Sequence, residues 1–123
     1  MVHLDTSVLI DALTGPRRSA PRLRAAIEEG ERIQLSTLVL YEWLRGPRTT
    51  AELHDQEALF PVETAIAFGT AEATRASRLY AKLRRARGRE IDLAIAACAL
   101  EHGASLWTLN PEDFSDIPDL TLA

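Results

Sequence analysis

The chain has 123 residues, of which 46% are hydrophobic and 26% charged, and its formal net charge is −4. This length and composition are typical of a folded globular domain with a substantial core, and they exclude a disordered chain. The acidic balance argues against bulk, sequence-independent binding of nucleic acid. We therefore expect a single domain over residues 1–123.

The sequence also bears on location. No uncharged run approaches the roughly 20 residues that a membrane helix needs. The first residues have neither the basic region nor the long apolar run of a signal peptide. The single cysteine, Cys98, lies in an apolar stretch and cannot form an internal disulfide, which fits a reducing compartment. We expect a cytoplasmic protein with no membrane partner.

The first half of the chain alternates strand and helix patterns. In chain order, these are a strand over residues 2–5, helices over 8–13 and 21–30, a strand over 33–36, and helices over 37–44 and 50–59. Several hydroxyl residues stand where they could cap these helices: Thr6 or Ser7, Ser36 or Thr37, and Thr49 or Thr50. Strands that lead into helices are typical of α/β domains.

The second half continues the alternation. In chain order, it predicts a short strand over residues 59–62, an amphipathic helix over 64–86, a helix with Asp92 in its first turn that ends at Gly103, a strand over 105–109, a turn over 110–114 and a last strand over 120–122. Residues 93–100 carry no charge and are mostly small, so they predict a closely packed interior helix. The whole pattern predicts a three-layer α/β/α sandwich with a mostly parallel central sheet.

Charge is unevenly distributed along the last part of the chain. Residues 73–89 contain seven basic residues and no acid, whereas the residues from Glu90 onward contain seven acids and no Lys or Arg. Most charge runs are solvated helix faces. A basic stripe beside an acidic cluster can also hold a phosphate backbone while the acids hold a metal ion. The candidate RNA-binding residues of this stripe are Arg84, Arg85, Arg87 and Arg89.

Polar side chains recur where predicted elements meet loops. Asp5 ends the first strand, Asp92 opens its helix, and Asn110 and Asp113 follow a later strand. Taken singly, an acid such as Asp5 or Asp92 is more simply explained as a helix cap. Glu42 lies in an apolar helix, where burial of an unpaired carboxylate is costly, so it either pairs with the nearby Arg45 or lines a site.

Together these acids form a set of hard oxygen ligands. Such a set suits Mg²⁺ or Mn²⁺ rather than zinc, and the sequence has no Cys/His cluster that would indicate zinc. A divalent cation makes a group of mutually repelling carboxylates tolerable. It can also polarise a phosphoryl oxygen and lower the pKa of a bound water molecule. The set therefore indicates metal-assisted chemistry on a phosphate ester.

Four blocks of the sequence resemble, in order and spacing, the blocks of the PIN-domain nucleases. The blocks are Asp5-Thr6-Ser7, Tyr41-Glu42 with Gly46, Asp92-Leu93-Ala94-Ile95-Ala96-Ala97, and Trp107-Thr108-Leu109-Asn110-Pro111-Glu112-Asp113-Phe114. The match spans essentially the whole chain, whose length is similar to that of the VapC toxins of bacterial toxin–antitoxin pairs. The resemblance implies a Mg²⁺- or Mn²⁺-dependent endoribonuclease that is usually a homodimer and is neutralised by a VapB-like antitoxin.

The resemblance also implies roles for single residues. It assigns metal binding to Asp5, Asp92 and Glu42, and it implies that Thr6 or Ser7 orients the first aspartate or a bound water. The fourth acid of the family often falls at the position of Asn110. Here either Asp113 supplies that charge or Asn110 contributes only an oxygen ligand. We expect the missing charge to weaken the second of two possible metal positions, which leaves one firmly held ion.

Two other functions remain open from the sequence. A phosphatase-like or receiver-like domain could use Asp5 as nucleophile or phosphoacceptor. That class needs a second aspartate close to the first and a lysine at a late strand end, but the only lysine, Lys82, lies in a helical segment. The second alternative is a PIN-like fold that binds a partner without catalysis, for which Asn110 is the sole argument.

Overall fold

Three short parallel strands form the centre of the molecule, for which a computed structural model describes residues 1–123. The strands are β1 (Val2–Leu4), β2 (Ile33–Gln34) and β3 (Ser105–Trp107). Their order in the sheet is β2-β1-β3. Val2 lies opposite Ile33 on one side and opposite Ser105 on the other, and both pairings are parallel. Because parallel strands need long crossovers, the helices between them occupy the faces of the sheet.

Six α-helices surround this sheet. They are α1 (Thr6–Leu13), α2 (Ala20–Glu28), α3 (Thr37–Arg45), α4 (Thr50–Leu59), α5 (Thr70–Lys82) and α6 (Glu90–Glu101). α1 packs against α2, α3 and α4, whereas α5 packs against α6. Every residue of β1 is buried, and successive side chains of a strand point to opposite faces, so both faces of the sheet are covered. The α/β/α sandwich with a parallel sheet is thus confirmed. None of the helices has the length and apolar character needed to span a membrane.

Side-chain caps determine where two helices begin. The Ser36 hydroxyl accepts a hydrogen bond of 3.2 Å from the backbone N–H of Val39 at the start of α3. Thr49 and Glu52 form a reciprocal capping box at the start of α4. These bonds satisfy N–H groups that have no partner within the helix. The caps predicted at Ser36 and Thr49 are confirmed. The cap predicted for α1 at Thr6 or Ser7 is wrong, because Asp5 occupies the N-cap position.

Two predictions on either side of residue 64 are wrong. Residues 59–62 do not form a strand, because α4 continues to Leu59 and Val62–Thr64 form a 3₁₀ turn. The helix predicted over 64–86 is confined to α5. Its start is fixed by the Glu72 carboxylate, which accepts a hydrogen bond of 2.9 Å from the backbone N–H of Gly69. Its end is fixed by Leu83, whose backbone is extended. The apolar spacing is helical beyond these bounds, but the backbone is not.

The strand segments at the end of the chain are shorter than predicted. β3 ends at Trp107 rather than at residue 109. The strand predicted over 120–122 is reduced to a single parallel bridge between Leu106 and Leu122. The polar residues that follow Trp107 make side-chain hydrogen bonds, described below, in place of sheet pairing.

The interior helix predicted from the sequence is α6. Its residues from Leu93 to Ala99 are all buried, and Ala96, Ala97 and Ala99 have no exposed surface. Trp43 and Trp107 also belong to the core, with exposed fractions of 0% and 4%. Small side chains on every face of α6 allow α5 and the sheet to approach it closely, so the start of α6 is held rigidly.

Enlarging the α6 interior is expected to destabilise the fold. Ala96→Leu adds volume at a position with no exposed surface, and it should lower the free energy of unfolding by about 1–3 kcal/mol. Ala81→Leu makes the same change at an exposed position of α5 and serves as the control. Urea denaturation of both variants checks the prediction, which equal midpoints would contradict.

Candidate active site

Asp5 follows β1 directly, and its carboxylate is held by two hydroxyl groups. The Asp5 Oδ2 atom accepts hydrogen bonds from Ser7 Oγ at 2.9 Å and from Thr108 Oγ1 at 2.8 Å. The backbone N–H of Asp5 also donates to the carbonyl of Trp107 at 2.9 Å. Because β1 and β3 are parallel, the residues that follow them meet at the carboxyl edge of the sheet, where ligands of α/β folds bind. Asp5 is therefore fixed at this edge.

The same hydroxyls anchor the segment that follows β3. The backbone N–H of Leu109 donates to Ser7 Oγ at 3.1 Å, and that of Asn110 donates to Thr108 Oγ1 at 3.0 Å. Asn110 thus joins this hydrogen-bond network through its backbone N–H, and the residue is exposed. The sequence interpretation missed the role of Thr108, although this residue lies in the fourth block of the resemblance. Thr108 lies one residue beyond a strand that is parallel to β1, and a hydroxyl at this position is the signal that could have indicated its role.

Glu42 lies in α3, and its side chain is 21% exposed. Its Oε1 atom accepts a hydrogen bond of 2.6 Å from Thr6 Oγ1 at the start of α1. Its Oε2 atom lies 3.5 Å from the guanidinium of Arg45, whose side chain is 59% exposed. An exposed ion pair of this length contributes little to stability. The bond to Thr6 is the one that ties Glu42 to the residue next to Asp5.

Asp92 occupies the first turn of α6 and is half-buried. A helix N-terminus normally favours an ionised carboxylate. Here the pKa of Asp92 is instead raised to about 6, first by desolvation and then by the charges of three other carboxylates: Asp5, Asp113 and Glu42. Arg89 acts in the opposite direction. The structure therefore brings the four predicted acids close enough for the charges of the other three to act on Asp92.

Asp113 ends a 3₁₀ turn over Pro111–Asp113. It is exposed, and its charge is among those that raise the pKa of Asp92. Its backbone carbonyl accepts a hydrogen bond of 2.8 Å from Arg89. Of the two candidates for the fourth position of the site, Asp113 is the one whose charge acts on Asp92, whereas Asn110 contributes a backbone contact.

The four arginines predicted to bind RNA lie in two different environments. Arg84, Arg85 and Arg87 are exposed in the non-helical connection between α5 and α6. Arg89 is engaged: its guanidinium donates to both carboxylate oxygens of Asp116, at 2.7 and 2.9 Å. The sequence interpretation missed Asp116, because nothing in the sequence pairs it with a residue 27 positions away.

The four acids offer a set of carboxylate oxygens to a divalent cation. The chemistry fits, because carboxylate oxygens are the ligands that Mg²⁺ and Mn²⁺ prefer, and a cation among these acids would relieve the repulsion that raises the pKa of Asp92. The side chains are not gathered around one point, since no group of three or more His, Cys, Asp or Glu residues is arranged to hold an ion. Asp5 and Glu42 each have one oxygen turned to a hydroxyl group.

The site does not coincide with the large apolar groove of the molecule. That groove has a volume of about 460 Å³ and lies between α1, α2 and α4, with apolar side chains that include Leu13, Leu23 and Leu59. None of the four acids lines it. The candidate active site is therefore a polar region at the edge of the sheet rather than a deep apolar pocket.

Comparison with known proteins identifies the family. The sequence profile of the PIN domain matches residues 2–120. The chain belongs to the PIN-domain family. Ribonuclease VapC19 of Mycobacterium tuberculosis is 36% identical to this PIN domain over 123 residues, which cover 98% of the chain and 97% of that protein. The resemblance to the VapC proteins is thus confirmed, and the phosphatase-like and receiver-like alternatives lose their support.

Solved structures agree with the family. A DNA-bound VapBC structure from Salmonella typhimurium superposes with a TM-score of 0.80 at 22% identity and covers 99% of this chain and 96% of that chain. A toxin–antitoxin complex from Klebsiella pneumoniae superposes with a TM-score of 0.72 at 26% identity and covers 98% of this chain and 96% of that chain. These likenesses confirm the fold of the PIN domain.

The raised pKa of Asp92 predicts the direction in which removal of its charge changes the stability of the fold. Because the folded state binds the proton more tightly than the unfolded state, this carboxylate lowers stability as the pH rises from about 4 to about 6. The shift corresponds to ~3 kcal/mol, which solvent screening of a half-buried group reduces to about 1 kcal/mol. In EDTA, Asp92→Asn should therefore be more stable than the wild type at pH 7 by about this amount, and the gain should vanish below about pH 4.

Urea denaturation across this pH range measures the effect. Asp116→Asn is the control of opposite sign, because hydrogen bonding to Arg89 lowers the pKa of Asp116 and its ionised form stabilises the fold at neutral pH. A neutral-pH stability of Asp92→Asn equal to or below that of the wild type would contradict the prediction.

Proposed function

We propose that this PIN domain is a Mg²⁺- or Mn²⁺-dependent endoribonuclease that acts as the toxin of a toxin–antitoxin pair. The observation that carries the proposal is the convergence of acids at the carboxyl edge of a parallel sheet, where Ser7 and Thr108 hold Asp5 and where the charges of Asp5, Asp113 and Glu42 all act on Asp92. A relative that is 36% identical is a ribonuclease by name. The ion would be held by Asp5, Glu42 and Asp92, and when bound it would activate water for attack on a phosphodiester.

The hydroxyl groups of the site orient the acids. Ser7 and Thr108 both donate to the same oxygen of Asp5, which leaves its Oδ1 atom without a side-chain hydrogen bond. Thr6 donates to one oxygen of Glu42 in the same way. Asp5 thus has one oxygen fixed and one oxygen available for a ligand, whereas the second oxygen of Glu42 faces the exposed Arg45 at 3.5 Å. Such hydrogen bonds orient metal-binding side chains in many sites.

The basic connection between α5 and α6 would hold the RNA backbone. Arg84, Arg85 and Arg87 are exposed and form no ion pair with a carboxylate. Their charges are therefore available for phosphate groups, to which the planar guanidinium is well suited. The connection leads directly into the helix that carries Asp92, so bound phosphates would lie on the side of the acids.

We also propose a VapB-like antitoxin as the protein partner and a homodimer as the state of the toxin. Two of the structural relatives are described as toxin–antitoxin or VapBC structures, from Klebsiella pneumoniae and Salmonella typhimurium. Large apolar side chains are exposed on the surface of this chain, and an assembly would cover them: Tyr41, Leu44, Leu59, Val62 and Tyr80.

The ribonuclease proposal predicts metal-dependent cleavage. Purified protein should degrade RNA in the presence of Mn²⁺ and should lose this activity in EDTA. Asp5→Asn or Asp92→Asn should lower the rate by about 100-fold or more, because each removes a metal ligand. Electrophoresis of total RNA after incubation measures the effect, and overexpression of the same variants tests growth arrest in cells.

Glu112→Gln is the matched control, because it removes an exposed acid next to Asp113 that is outside the proposed ligand set. It should retain full activity. If Asp5→Asn and Asp92→Asn arrest growth as strongly as the wild type, the protein acts as a binding module, and the ribonuclease proposal is wrong.

The number of ions is a separate prediction. With Asn110 in place of a fourth acid, the site should hold one ion firmly. Calorimetric titration with Mn²⁺ should give one tight site, both in the wild type and in Asp113→Asn. Two tight sites that persist in Asp113→Asn would contradict this prediction.

A further inference from the structure

Arg89 differs from the other arginines of the basic connection in its contacts. It stands at the N-cap of α6, with a side chain that is 20% exposed. Its guanidinium binds Asp116 through two hydrogen bonds and donates to the backbone carbonyl of Asp113 at 2.8 Å. It also donates to the carbonyl of Arg85 at 3.0 Å. All four bonds stay within the protein, so little of this guanidinium remains for an RNA phosphate.

We infer that Arg89 is a positioning residue that holds Asp113 at the acid site, and that Asp116 fixes the guanidinium for this purpose. The inference rests on the proposed function, and it takes Asp113, whose charge acts on Asp92, as the fourth acid of the site. It assigns Arg89 to the architecture of the site rather than to RNA binding, and it gives Asp116 a function that its exposed position does not suggest.

The backbone around Asp113 has few other restraints. The 3₁₀ turn that Asp113 ends makes only local hydrogen bonds, such as that from the N–H of Asp113 to the carbonyl of Asn110 at 3.0 Å. Phe114 and Ile117 are buried and anchor the segment to the core. Among the hydrogen bonds of Asp113, the one from Arg89 is the bond that connects it to α6, on which Asp92 stands.

The geometry of the guanidinium explains why an arginine is required. Its planar fork donates two parallel bonds to the Asp116 carboxylate, and a remaining N–H reaches the carbonyl of Asp113. A lysine offers a point charge and cannot satisfy both partners with fixed directions. The two ends of the segment, at Asp113 and at Asp116, are therefore fastened to the start of α6 by one side chain.

The pairing with Asp116 also limits the electrostatic effect of Arg89 on the site. A lone cation beside the acids would compete with a metal ion. The Asp116 carboxylate balances this charge at 2.7 Å. Arg89 can thus restrain Asp113 while the acids retain a negative potential for a cation.

Hydrogen exchange tests the inference without reference to catalysis. Exchange of residues 110–117 should be about tenfold faster in Arg89→Gln than in the wild type, because a charge-assisted bond that holds the segment is lost. Arg87→Gln removes the same charge two residues away and should leave this segment unchanged. Equal exchange in Arg89→Gln and the wild type would overturn the inference.

Metal binding and kinetics provide the second test. In Arg89→Gln, the Mn²⁺ concentration for half-maximal binding should rise by about tenfold, and kcat should fall, while KM for RNA stays within about twofold. The Mn²⁺ affinity and the kcat of Arg89→Lys should lie between those of the wild type and those of Arg89→Gln. The double variant Arg89→Gln/Asp116→Asn should weaken Mn²⁺ binding and lower kcat no more than Arg89→Gln alone, because both changes break the same ion pair.

An effect on RNA binding without an effect on Mn²⁺ binding would overturn the positioning role. If Arg89→Gln raises KM for RNA and weakens its salt dependence while Mn²⁺ binding is unchanged, Arg89 is a phosphate ligand. If the wild type neither binds Mn²⁺ nor cleaves RNA, the proposed function fails, and the exchange comparison still decides whether Arg89 holds the segment.

Discussion

The parallel pairing of β1 with β3 determines where the acids of this PIN domain stand. The N–H of Asp5 donates to the Trp107 carbonyl, and the hydroxyl of Thr108, the residue after β3, donates to the Asp5 carboxylate. The hydroxyls of Ser7 and Thr108 then hold the backbone that leads towards Asp113. The register between β1 and β3 thus determines the position of Asp5 and of the segment that carries Asp113. Glu42 and Asp92 are added by helices that pack against this edge.

The arrangement opposes stability locally. Burial and, after it, three neighbouring carboxylates raise the pKa of Asp92, so at neutral pH its ionised form weakens the fold. The surrounding structure withstands this because residues 93–99 of α6 are buried and their alanines permit close packing. Helix packing therefore holds Asp92 at a position where its ionised form is electrostatically unfavourable. Strain that is concentrated at a site and compensated elsewhere is common in enzymes.

The sequence predicted the layers and the interior helix, because strand ends, helix starts and apolar periodicity are local signals. The same signals placed four acids at or near element ends, and the structure brings the charges of three of them to act on Asp92. The prediction failed where the deciding contact is distant in the chain. The bond from Thr6 to Glu42 joins residues 36 apart, and that from Thr108 to Asp5 joins residues 103 apart. The helix predicted over 64–86 was too long for a different reason. Apolar spacing continues past both ends, but the Gly69 cap and the extended Leu83 stop the backbone at α5.

The order of the elements has a consequence for how the protein is made. β3 follows all six helices in the chain, yet it pairs with β1, the first element to be synthesised. Until β3 has left the ribosome, Asp5 lacks Thr108, and the segment with Asp113 and Asp116 has no anchor. Domains fold as units, and contacts of such long separation form slowly. A growing chain therefore carries separate acids but no assembled site until β3 pairs with β1.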